Sequence, residues 1–429
     1  MLAVIRNLLQ KTEDIKRSAY IWNAVNAVLS ACQCPVILIV INRTCGVNDA
    51  GVFSIAFAVA SLMLYVGLYG LRRFQASDVI EKYTFRQYHG MRFITCAVMI
   101  LASAGYCIYG MIFRDYSIIK FMVIFAVCML KVIQAYSDVV HGRMQQQGRL
   151  DVATKCSSVR YVLEVAAYCV MLVLTKDLLV SSLGCLAISV AVLMLTTMNA
   201  GRDYCEYRPE FNPAKVKMLS VEGFPLFASL FLNMYISNAP KYAIDSYLTE
   251  EIQAVYNMIF MPAFVVMLVA NFIFNPILTT YAELWLSRTE AGIAKLMRQI
   301  KKQALFIAGL SLLGLVIAYT IGTPVLSVVF GIDLSEYRME LCVVMIGGGA
   351  LAYATYFSTV ITIIRLQKTL IVCYGIIALA AKVTSGLFVI NYGIMGAAFM
   401  YAALMSILAL ALWAVTLYGI KRGRNNVTS

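Results

Sequence analysis

The stretch Asn42–Gln75, NRTCGVNDAGVFSIAFAVASLMLYVGLYGLRRFQ, decides the fold. A turn containing Gly, Asn and Asp opens it, an uncharged run from Ala50 to Leu71 follows, and Arg72-Arg73 closes it. At a helical rise of ~1.5 Å per residue, that run covers the ~30 Å hydrocarbon core of a bilayer. Turn, span and basic stop describe one passage from the outer surface to the cytoplasm.

The rest of the chain repeats this unit. Twelve spans fit, at roughly 18–41, 50–71, 93–113, 119–140, 158–175, 178–200, 219–243, 254–276, 303–323, 341–364, 369–391 and 394–420. Composition agrees: 61% of the 429 residues are hydrophobic and only 13% charged, which places the chain among integral membrane proteins. The +13 charge is explained by loop lysines and arginines and not by nucleic acid. With the N-terminus inside, 27 of the 35 Lys and Arg fall on inner segments and five on outer turns, so both termini are expected in the cytoplasm. Most of the twelve cysteines lie within apolar spans, without a CxxC pair or zinc spacing. Met1–Arg17 carries charges throughout, so it reads as a short amphipathic helix on the inner surface and not as a cleavable signal.

An internal repeat divides the chain. Asp49–Ala60 aligns with Ile252–Ala263 at an offset of 203, matching Val52, Phe53, Phe57 and Ala60 with Val255, Tyr256, Phe260 and Ala263. Each copy follows the first span of a six-span set, so the halves share one orientation, with a substrate site expected between them. The expected architecture is an all-α membrane protein of twelve helices in two pseudo-symmetric six-helix lobes. The N-lobe covers 1–207, a cytoplasmic linker 208–218 and the C-lobe 219–429.

Polar residues recur within spans at helical spacing. Asn23, Asn26, Ser30 and Gln33 share a face of the first span. Lys131, Gln134, Asp138 and His141 do so in the fourth, and Ser229, Asn233, Ser237, Lys241 and Asp245 in the seventh. Such stripes line a wet cavity or hydrogen-bond between helices. Lys131 and Lys382 lie near the middle of their spans, one in each half, where an ammonium costs ~2.5–3.5 kcal/mol and calls for a partner or an anionic ligand. Lys241 is nearer an outer end, where snorkelling suffices. Arg160 and Glu164 are spaced for an intrahelical pair. No GxxxxGK[ST] loop is present, the two histidines (His89 and His141) make no metal site, and no outer loop carries paired carboxylates. Catalysis is therefore disfavoured, and no metal or cofactor is expected.

These residues resemble a family. Arg43-Thr-Cys-Gly-Val-Asn-Asp-Ala-Gly-Val-Phe53 is similar to the R-x-x-G-x-x-x-x-G-x-[YF] opening of Wzx-type polysaccharide repeat-unit flippases, of the larger group that also holds MATE multidrug exporters and lipid II flippases. Gly223-Phe-Pro225, Asn233 with Ile236, Asn238 and Lys241, Val255-Tyr256, and Pro324–Gly331 resemble that family in order and spacing. The resemblance implies alternating-access export of undecaprenyl-pyrophosphate-linked oligosaccharide (O-antigen or capsule units) across the cytoplasmic membrane. It also implies membrane lipids, a polysaccharide polymerase and chain-length machinery as partners. Lys131, Lys382 and Lys241 would then hold the pyrophosphate, with Asn23, Asn26, Asn233, Ser237 and Gln134 in the polar cavity. Unlike lipid II flippases, with their fourteen spans, the chain has no charge in its first two spans. The alternative is a cation-coupled, MATE-like drug exporter, which needs an intramembrane carboxylate. A membrane-embedded polymerase or ligase needs a long catalytic outer loop, and none exists.

Overall fold

The computed structural model describes residues 2–78, 82–274 and 277–428; residues 79–81 of the inner connection at 72–92, and 275–276 at the end of the eighth expected span, lie outside these. Helices run α1 Leu2–Gln10, α2 Ile15–Thr44, α3 Val47–Leu68, α4 Leu71–Ser77, α5 Phe85–Phe113, α6 Ile118–Gln146, α7 Leu150–Thr175, α8 Leu178–Leu193 and α9 Asn199–Gly201. They continue with α10 Pro213–Tyr247, α11 Glu250–Phe274, α12 Leu278–Leu286, α13 Glu290–Ile317, α14 Thr323–Phe330, α15 Arg338–Ile363 and α16 Gln367–Thr428. Five-residue π-turns join α8 to α9 and α13 to α14. The described residues contain no strand.

Local chemistry sets the ends. Asp14 caps α2 by accepting from the Arg17 amide at 3.0 Å, and Asp177 caps α8 by accepting from the Val180 amide at 2.9 Å. Thr84 and Gln87 close a reciprocal capping box at the start of α5. Gly46, at φ 99°, opens α3 in a conformation that a side chain would strain. Gly331, at φ 76°, ends α14, and its amide donates to the Ser327 carbonyl at 2.8 Å. The two turn motifs of the sequence are therefore a helix start and a helix stop.

Eleven helices among the described residues are long and apolar enough to cross a membrane. Twelve spans were expected, and the difference lies in α16, whose 62 residues include the eleventh and twelfth expected spans. A straight helix of that length would run ~90 Å, three times the bilayer core. It is not straight: Gly393 has φ 56° and ψ −135°, outside any helical region. A Cβ at Gly396 would also collide with the Phe388 carbonyl, eight residues earlier, so the chain doubles back. Gly393→Ala is expected to cost about 1–3 kcal/mol of backbone strain, measured as a lower melting temperature in detergent. Several helices outrun their expected spans at basic ends. α7 begins at Leu150 rather than 158, and α13 at Glu290 rather than 303, because polar turns stay helical beyond the hydrocarbon.

The chain divides into two compact units, Met1–Phe231 and Leu232–Ser429. The division falls inside α10, whose first half packs on the N-terminal unit. Phe227 stacks on Tyr69 with ring centroids 4.7 Å apart, and Lys82 pairs with Glu222 at 2.7 Å. That bond raises the Lys82 pKa above its ordinary value. Gly223 of the Gly-Phe-Pro motif lies against the Tyr69 ring, where a Cβ would approach to 3.2 Å.

α1 is bound to this unit as well as amphipathic. Lys155 donates to the carbonyls of Leu9 and Lys11 at 3.4 and 3.1 Å, and Arg149 to that of Gln10 at 2.7 Å. Cations thus satisfy the free carbonyls at its C-terminus.

Candidate functional site

Lys131 projects from α6 into the interior of the N-terminal unit and is buried. Its Nζ donates to Gln33 Oε1 of α2 at 2.9 Å and to Gln134 Oε1 one turn on at 3.1 Å. It also lies 4.7 Å from the centre of the Phe57 ring of α3. Gln33 passes the contact on: its Nε2 donates to Glu164 Oε2 of α7 at 3.3 Å. Ser189 of α8 donates to the other carboxylate oxygen. Arg160 Nη1 stands 3.7 Å from that oxygen, and its guanidinium lies 5.0 Å from the Tyr161 ring centre. Gln134 donates to the Tyr161 hydroxyl at 3.0 Å. Four spans, α2, α6, α7 and α8, therefore meet in one polar network.

Its charge does not balance. Two buried cations, Lys131 and Arg160, share the single carboxylate of Glu164, and Arg160 Nε and Nη1 have no hydrogen-bond partner. Burial in low dielectric makes an excess cation an attractor for an anion. The cavity beside Lys131 holds only about 20 Å³, room for a water and not for a sugar.

The rest of the α6 stripe belongs to other networks. Asp138 pairs with Arg92 of α5 at 2.8 Å and with Arg72 at 3.5 Å. Arg92, whose side chain is fully buried, also donates to the Gly67 carbonyl. His141 contacts Thr197 at 3.2 Å and Ser157 at 3.3 Å. Interhelical bonding, not a cavity, accounts for these two positions. Asp138→Ala would strand the buried guanidinium of Arg92. We expect a loss of about 3–5 kcal/mol, read by denaturation in detergent, and partial recovery on adding Arg92→Met.

In the C-terminal unit Lys241 is buried on α10, with Nζ 4.6 Å from the centre of the Phe260 ring. Phe57 and Phe260 are the paired positions of the internal repeat, so each unit sets a buried ammonium on the equivalent ring. Ser237 is buried and donates to the Asn233 carbonyl at 2.9 Å, while Asn233 itself is half-buried. The buried side chains of Gln253, Tyr256 and Tyr401 have polar atoms without partners.

The remaining predicted residues take no part in the hydrogen bonds described above. Lys382 is exposed on α16, Asn23 is exposed on α2, and Asn26 is half-buried with its Oδ1 buried and unpartnered. Sequence spacing groups residues of one helix. It did not reveal that Gln33 joins Lys131 to Glu164, because that junction is made across three helices. Among the described residues, no three His, Cys, Asp or Glu side chains gather as a metal site.

No protein-family model matches the chain, and no curated protein matches it in sequence. Solved structures do match in fold. The eukaryotic MATE transporter AtDTX14 superposes with a TM-score of 0.64 at 12% identity, over 96% of this chain and 98% of that one. An inward-facing MATE family transporter of the MOP superfamily gives 0.63 at 11% identity over 99% of both chains. A Pyrococcus furiosus MOP superfamily transporter, for which the reverse polarity of its binding pocket suggests a different function, gives 0.58 at 12% identity, over 99% of this chain and 98% of that one. At such identities the likeness is one of fold: the chain has the architecture of MATE transporters.

Proposed function

We propose that the protein is an alternating-access exporter of the cytoplasmic membrane. In this reading it moves undecaprenyl-pyrophosphate-linked oligosaccharide repeat units to the outer leaflet for surface polysaccharide synthesis. The observation that carries the reading is the excess of buried cation. Lys131 is held by neutral amide oxygens, and it and Arg160 have only the one carboxylate of Glu164 between them. A site for organic cations calls for the opposite balance, whereas a pyrophosphate is drawn to ammonium groups. Lys241 is the corresponding cation of the second unit, and Lys382 a third whose exposed ammonium is accessible to a headgroup. Asn23, Asn26, Asn233 and Ser237 supply donors and acceptors for sugar hydroxyls, whereas the Gln134 amide, already bonded to Lys131 and Tyr161, holds the ammonium in place. In this reading the doubled-back α16 counts as two spans, for twelve in all with both termini cytoplasmic. The role is transport and not catalysis, with polymerase and chain-length machinery downstream.

Glu164 favours one other reading. It is a buried carboxylate within an amide bridge of Lys131, the kind of group that a proton- or sodium-coupled drug exporter requires. One experiment separates the two. In cells lacking their own repeat-unit flippase, labelled lipid-linked oligosaccharide is expected to become accessible outside only when this chain is expressed. Retention of the label inside, with expulsion of cationic dyes, would establish the exporter reading instead.

A further inference from the structure

The C-terminal unit carries a second feature, independent of what is exported. α13, α15 and the last arm of α16 enclose an open apolar groove of about 570 Å³. Its walls include Ala304, Ser311 and Leu315 of α13, Tyr353 and Phe357 of α15, and Trp413 of α16. The hydroxyls among them are already used within the protein: Tyr353 donates to the Ala304 carbonyl at 2.6 Å and Ser311 to that of Ile307 at 2.7 Å. Apart from Ser406, what remains facing outward is ring and aliphatic surface.

Depth and charge identify the occupant. From Ala304 to Leu315 the groove runs ~17 Å along α13, little more than half of the ~30 Å hydrocarbon core, hence one leaflet. The stripe Leu315, Ser311 and Ala304 continues at helical spacing into Lys301 and Arg298, both exposed. The other two helices bring cations to the same end. Phe357 and Trp413 pack together at 5.0 Å, and beyond them exposed Arg365 and Lys368 follow α15 while exposed Lys421 and Arg422 follow Trp413. The carboxylates at this end, Glu283 and Glu290, lie two turns or more beyond Arg298. A neighbouring apolar groove of about 330 Å³, between α11 and α13, differs: it reaches Leu326 and Leu341, at the end where Asp333, Glu336 and Glu340 outnumber Arg338.

We propose that the groove bounded by α13, α15 and α16 is a binding site for an anionic phospholipid, its acyl chain against Trp413 and its headgroup on Arg298 and Lys301. One leaflet of depth suits an acyl chain better than a polyprenyl tail several times longer. Cationic side chains at a membrane surface select anionic headgroups over zwitterionic ones.

The test uses Trp413 as reporter. In the full-length protein with Trp22→Phe and Trp285→Phe, reconstituted in vesicles, brominated-chain phosphatidylglycerol is compared with brominated phosphatidylethanolamine as quencher. Phosphatidylglycerol is expected to quench at roughly thirtyfold lower mole fraction, as two cations at ~1 kcal/mol each would give. Arg298→Gln with Lys301→Gln, both exposed and outside the packed core, should reduce that preference severalfold. Ala350→Phe, which fills the groove, should weaken quenching by both lipids. Equal quenching by the two lipids, or a preference unchanged in the Arg298→Gln/Lys301→Gln variant, overturns the proposal. So does displacement of the brominated lipid by a polyprenyl phosphate more readily than by phosphatidylglycerol.

Discussion

Glu164→Ala is expected to destabilise the protein by about 3–5 kcal/mol, because it leaves two buried cations with no counter-charge. The carboxylate touches Gln33, Ser189 and Arg160, from three different helices. Its loss therefore frees hydrogen-bonding groups on each as well as the charge. Glu164→Gln, which retains shape and one acceptor, removes the charge alone and should fall between wild type and alanine. Adding Arg160→Met to Glu164→Ala removes one stranded cation and should return part of the loss. Thermal unfolding in detergent reads all three. A wild-type melting temperature for Glu164→Ala would mean that the network carries no stabilising charge coupling.

Lys131→Gln is expected to act in the opposite way, lowering export at least tenfold with little loss of fold. Without Lys131 the remaining charges, Arg160 and Glu164, balance. The cost is confined to two amide oxygens that lose a donor, about 1–3 kcal/mol. Lys241→Gln removes the equivalent ammonium of the second unit, and the double variant should abolish outward movement of labelled lipid-linked oligosaccharide. Lys382→Gln, which removes the third and exposed ammonium, held by neither Phe57 nor Phe260, should lower export less than either buried lysine does. Membrane insertion and melting temperature measured alongside separate lost transport from lost protein. Full export by the double variant would end the cationic-site reading.

Some of this was legible in the residues alone and some was not, for physical reasons. Uncharged runs between basic stops mark spans because the bilayer imposes one length on all of them. Gly46 and Gly331 mark turns because their backbone angles suit glycine. The doubling back at Gly393 was legible as a boundary between two apolar runs, although the helix continues to within a residue of it on both sides. The polar stripes were legible as stripes, but their partition was not. Lys131 and Asp138 lie on one face of α6 and yet belong to networks separated by two turns, each completed by other helices. Glu164 read as the partner of Arg160, which it is. Its link to Lys131 runs through Gln33, more than a hundred positions away in the chain, and no periodicity carries that distance.

The lysine on an aromatic ring can be supplied from more than one place in the fold. Phe57 and Phe260 hold the paired positions of the two aligned segments, yet the ammonium over Phe57 comes from α6 and the one over Phe260 from α10. The aligned position thus fixes the ring and leaves open which helix brings the charge. Relatives of this chain should vary the lysine's helix more freely than the aromatic beneath it.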